Sequence, residues 1–143
     1  MGLKSLRVKT GRFNRLGLME RRLFREALLL HLRVWLILRF IPFRKIPELF
    51  ADSGVSANEN DIGLLEQIRK AVRRASGILP FKNKCLVSSL AARCMLRRRG
   101  IESTVYLGVN IEDMGEILAH AWINSDQFEV VERSGNYNIL YSF

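Results

Sequence analysis

A change of hydrophobic period near Gly100 constrains this chain most. Before it, apolar residues recur at three- and four-residue steps; after it, they alternate. The first pattern buries one stripe of a helix, and the second buries one face of a strand. Helices followed by closely spaced strands imply an α+β domain, with helices packed on an antiparallel sheet. The 143 residues suit one domain over 1–143. Within it, residues 1–50 form a basic, helical N-terminal segment and residues 60–143 the core.

The helical half divides at its prolines and polar stretches. Residues 1–15 alternate basic and small side chains and read as an arm. From about Leu16 to Phe40 the period is helical, with Leu23, Ala27, Leu30 and Val34 in its stripe, until Pro42 and Pro47 end it. Residues 51–60 read as a loop. A second helix is expected from Asp61 to Ser76, capped by Gly77 and stopped by Pro80. The third, Cys85 to about Arg98, differs in kind. Up to Leu96 its only charge is Arg93, and Ser88, Ser89, Ala91 and Ala92 permit close approach on several sides. A helix apolar or small nearly all round belongs at the centre of a fold.

Four strands are expected beyond Gly100: Ser103–Val109, Leu118–Asn124, Phe128–Glu132 and Asn138–Phe143. Asn110–Glu116 reads as an acidic loop, and Ser125-Asp126-Gln127 as a three-residue hairpin loop.

The net charge of +9 is unevenly spread. Residues 1–45 hold 12 Lys or Arg against Glu20 and Glu26 alone, whereas residues 46–143 hold 11 basic and 12 acidic residues. The basic segment suits an anionic lipid surface, an acidic protein or plain solvation. A peripheral membrane contact is among the expectations, and a nucleic-acid partner is not. The apolar stretch Ala27–Leu38 is interrupted by His31 and Arg33, which argues against a signal sequence and a transmembrane helix. Two cysteines in such a chain do not make a disulfide framework, so a reducing cytoplasm is expected.

Chemistry concentrates at Cys85 and at His120-Ala121-Trp122-Ile123. A thiol at a helix N-terminus is open to activation, because the helix dipole favours thiolate there. An imidazole brought beside it by the fold serves as base. Such pairs usually carry a third group that orients the ring. With a three-residue hairpin loop, Glu132 stands directly opposite His120, about 5 Å away at Cβ. Asp126, about 20 Å along an extended strand, does not reach. Asn136 is an outside candidate, and Asn83 a weak one for a second oxyanion donor. Cys94 and His31 read as packing residues. No ligand cluster suggests a metal, and no cofactor is implied.

At these residues the sequence resembles the transglutaminase-like leader peptidases of lasso peptide biosynthesis. The resemblance runs through Leu79-Pro80-Phe81, Cys85-Leu86, Ser89-Leu90-Ala91, Leu96-Arg97-Arg98-Arg99-Gly100-Ile101, Leu107-Gly108-Val109 and Ala119-His120-Ala121-Trp122-Ile123. Phe81 stands where the family commonly has Trp, and Glu132 where it usually has Asp. The resemblance implies a papain- or transglutaminase-like fold. It also implies a Cys85–His120–Glu132 peptidase that removes the leader from a ribosomally made lasso precursor peptide. The first 60 residues do not look like a β-rich recognition domain. A separate leader-recognition protein is therefore the expected partner, with a ring-closing ATP-dependent synthetase in the same system. Acyl transfer to an amine by the same residues, and a non-catalytic membrane- or protein-binding module, are the competing readings.

Overall fold

A computed structural model describes residues 17–51, 61–111 and 115–143. The basic arm, the 51–60 loop from residue 52 onward, and residues 112–114 of the acidic loop lie outside the described residues. The elements are α1 (Leu18–Phe40), a 3-10 turn (Phe43–Lys45), α2 (Ile46–Leu49), α3 (Ile62–Ile78), α4 (Lys84–Arg97), β1 (Thr104–Ile111), β2 (Ile117–Ser125), β3 (Phe128–Val131) and β4 (Asn138–Ser142). The four helices pack on a four-stranded antiparallel sheet of order β3-β2-β1-β4, the expected α+β class.

α1 buries Leu23, Phe24, Ala27, Leu30, His31 and Val34, the stripe expected from the period. It stops where Ile41 turns extended ahead of Pro42, the conformation that a following proline enforces. Asp61 caps α3, its carboxylate accepting from the backbone N–H of Gly63 (2.9 Å) and Leu64 (3.4 Å). Gly77, expected as the cap beyond α3, lies instead inside its last turn. The terminus falls at Leu79, extended ahead of Pro80.

α4 is the central helix. Val87, Leu90, Ala91, Ala92, Met95 and Leu96 are all buried, and the helix packs against α1, α3 and β2. Its stop is at Gly100, where φ is +67° and the Ile101 N–H reaches back to the Leu96 carbonyl (3.1 Å). A side chain at that φ is disfavoured, which suits glycine. Buried Arg93 ties the helix to the residue after α2 and to the residues flanking β1 and β4. Its Nε donates to the Phe50 carbonyl (2.9 Å), and its guanidinium also donates to the Ser103 and Phe143 carbonyls.

Val105, Ile123 and Val130 join the helical core, so one face of the sheet is covered by helices. β2 alternates strictly against β1, with Val105 opposite Ile123 and Gly108 opposite His120. Ala121 and Ile123 therefore point to the helices, and His120 and Trp122 to the other face.

The β2–β3 hairpin corrects one expectation. Its loop is two residues, Asp126 and Gln127, with Ser125 paired to Phe128 and Asn124 to Glu129. Asp126 takes a φ of +52°, which Asp tolerates better than most residues and which closes the turn one residue sooner. A bulge at Val130 then shifts the pairing again, so Ile123 meets Val131. β3 ends there, and Glu132 stands past its end rather than in register opposite His120.

Candidate active site

Cys85 is the second residue of α4 and is half-buried. The Asn83 carbonyl begins the helix by accepting from the Val87 N–H (3.0 Å), while the Asn83 side chain makes no capping bond. The N–H groups of the first turn thus lack helical partners and point out past Cys85. Such donors suit an oxyanion formed at the thiol. Phe81 anchors the approach, stacking on Trp35 of α1 at 5.1 Å between ring centres and 7° between planes.

His120 sits in a cluster of rings on the sheet face away from α4. It stacks on Tyr137 at 5.0 Å and on Trp122 at 6.1 Å. Trp122 stacks in turn on Tyr106 at 5.5 Å, with the Arg133 guanidinium 5.3 Å from its ring centre. These neighbours cover Trp122, which is buried without contributing to the helical core. Arg133 also donates to the Tyr137 carbonyl, closing the turn that carries Tyr137 over the histidine.

The His120 ring is held by Glu132, but through the backbone. Nε2 lies 2.9 Å from the Glu132 carbonyl oxygen. A carbonyl only accepts, so Nε2 carries the proton and donates it, and the Nδ1 lone pair is the basic site of the neutral ring. Burial pushes the His120 pKa below its ordinary value, which favours that neutral form. The Glu132 carboxylate pairs instead with Arg69 of α3. Arg69 also lies 5.7 Å over the Phe128 ring, so α3 and not the histidine claims that carboxylate. Asn136 is exposed.

The three expected site residues thus come together in part. His120 and Glu132 are in contact. Cys85 opens the helix that packs against β2, yet among the described residues no hydrogen bond joins its thiol to the His120 ring. The alternation of β2 turns His120 to the face opposite Ile123, which joins the helical core. Tyr106, Tyr137, Arg133 and Arg69 were not singled out in the sequence. The spacing of His120 and Trp122 by two was a usable signal for a shared face, and Tyr106 follows as the cross-strand partner of Trp122.

Cys94 is half-buried against the core, and burial raises its thiol pKa despite Arg97, Arg98, Arg33 and Arg93 nearby. His31 is fully buried; its Nδ1–H donates to the Ala27 carbonyl (2.7 Å), which leaves Nε2 to accept from the Ser88 hydroxyl (3.2 Å). Both fit packing roles. Among the described residues, no group of His, Cys, Asp or Glu is arranged to hold a metal ion.

A family model described as the transglutaminase-like superfamily matches residues 28–140, a span that includes Cys85, His120 and Glu132. No curated protein and no solved structure matches the chain.

Proposed function

Because this chain belongs to the transglutaminase-like superfamily, which includes cysteine peptidases and acyltransferases, we propose that it is a cysteine peptidase. Its nucleophile is Cys85 and its base His120. The observation that carries this reading is a thiol in the first turn of the buried central helix, within the matched span and upstream of the strand bearing His120, whose pKa burial lowers.

In the proposed reaction His120 Nδ1 takes the thiol proton, and the thiolate sulfur bonds to a peptide carbonyl carbon. The carbonyl oxygen becomes an oxyanion facing the free N–H groups at the start of α4. The imidazolium returns the proton to the leaving amine as the C–N bond breaks, and a thioester remains on Cys85. His120 then deprotonates a water, which attacks the thioester and releases acid and thiol. The Glu132 carbonyl keeps the proton on Nε2 throughout.

This chemistry requires thiol and ring on one side of the sheet. His120 is the fourth residue of β2, beyond the stretch that pairs with β3, and the Glu132 carbonyl and the Tyr137 ring hold its imidazole there. The substrate we propose is a lasso precursor peptide, cut between leader and core with a separate leader-recognition protein supplying the docking. A precursor encoded in an adjoining reading frame, incubated with that protein and this chain, should be cut at one bond. Cys85→Ala should abolish the cut and Cys94→Ala should retain it; full cleavage by Cys85→Ala overturns the reading.

The placement of His120 across the sheet from α4 favours a second reading, a non-catalytic binding module. It predicts that no peptide bond is cut and that no electrophile labels Cys85 at neutral pH.

A further inference from the structure

We propose that the outer face of α1 docks on an anionic lipid surface. On that face Leu18, Leu29, Leu32, Leu36 and Phe40 alternate at helical spacing with Arg22, Arg25 and Arg33. Leu29 is 69% exposed and Phe40 79%, well beyond what a scattered surface leucine or phenylalanine needs. Exposed Phe43, Arg44 and Lys45 continue the same composition past the helix end.

The charge on this face is uncompensated for a structural reason. α1 has two acidic residues, and each is paired with arginines of other helices. Glu20 pairs with Arg74 of α3, and Glu26 with Arg98 and Arg99 at the end of α4. Among the described residues, Arg22, Arg25 and Arg33 therefore stand without a paired carboxylate among the leucines. Arginine can lay its stem along apolar surface and lift its guanidinium toward phosphate. A face of leucine, phenylalanine and arginine with no acid is the composition of helices that lie in a membrane interface.

Shape separates a lipid surface from an acidic protein. The stripe follows a single helix of 23 residues, about 35 Å long. It is a convex ridge, whereas a partner helix or strand usually seats in a groove. A cavity of about 120 Å³ beside the ridge is lined by Leu30, Val34 and Ile37 of α1, with Arg33 and Arg97 at its edge. Spanning is not part of the proposal, because no helix among the described residues is long and apolar enough to cross a membrane.

The test is sedimentation of the full chain with phosphatidylcholine vesicles and with phosphatidylcholine–phosphatidylglycerol vesicles. The chain should pellet with the second kind only, and high salt should release it. The triple variant Arg22→Gln, Arg25→Gln, Arg33→Gln should weaken this binding roughly a hundredfold. Leu29→Ser with Phe40→Ser should also weaken it, all these side chains being exposed and the helical circular dichroism unchanged. Removing three exposed charges elsewhere, by Lys70→Gln, Arg73→Gln and Lys82→Gln, should leave most of it. Equal binding to both vesicles, binding to neither, or an equal loss in the control triple would each overturn the proposal.

Discussion

Gly108 shows how a missing side chain builds the candidate site. A Cβ there would stand 2.9 Å from the Trp122 ring and 2.9 Å from the Asn138 backbone carbonyl. The indole therefore lies across β1 only because position 108 is bare, and the same contact holds β4 against β1. Gly108→Ala should lower stability by about 1–3 kcal/mol, the usual cost of overpacking, measured as a shift in urea midpoint. The need for glycine at this point of a strand was not visible beforehand, because it depends on where the Trp122 ring falls. The alternation of His120 with Trp122 was legible. Which face the helices would cover was not, since a tryptophan in a strand usually marks the core side. Here Tyr106, Tyr137 and Arg133 bury it on the other.

Also at the residue scale, His31 makes stability depend on pH. Burial lowers its pKa, with the Ala27 hydrogen bond acting in the opposite direction. The unfolded chain then binds a proton near pH 6.5 that the folded chain refuses. Stability is full above that pH and falls as the pH drops through it toward the lower folded value. A His31→Gln variant should give a flatter curve of urea midpoint against pH across this window. An unchanged slope would mean that the ring titrates normally in the fold.

At the scale of elements, periodicity located the three long helices within a few residues. It missed α2, because four residues with Pro47 in the first turn leave no repeat to detect. It also misjudged the hairpin, where a positive φ at Asp126 and a bulge at Val130 outweigh residue counting. That error moved Glu132 from a strand position opposite His120 to the chain just past β3. Arg93, the lone charge in the buried stretch of α4, proved to be the fastener between that helix, the loop after α2 and the sheet. Arg93→Met should strand several buried carbonyls and cost about 3 kcal/mol or more in urea unfolding. Asp61→Ala, by contrast, removes one exposed helix cap and should cost about 1 kcal/mol in the same measurement.

Across the whole molecule, charge is arranged by partner and not only by sequence. The N-terminal excess of arginine was evident in the composition. Its separation into pairs between helices and an outward ridge was not, because the partners of Glu20 and Glu26 lie on α3 and α4, remote in sequence. The ridge belongs to α1, whereas Cys85 opens α4 and His120 lies across the sheet. The proposed lipid-facing ridge and the candidate active site can then operate separately. Arg22→Gln with Arg25→Gln should accordingly leave cleavage of a soluble precursor within about twofold, as distant surface sites usually act independently.

The central claim is that Cys85 and His120 act together, although His120 projects from the face of β2 opposite the helical core. The most direct measurement is the rate at which iodoacetamide alkylates each cysteine at neutral pH, read by peptide mass spectrometry in the wild type, His120→Ala and His31→Gln. The account predicts that Cys85 alkylation slows by about tenfold or more in His120→Ala, the lower range for a positioned base, and is unchanged in His31→Gln. Alkylation of Cys85 at the wild-type rate in His120→Ala would contradict it.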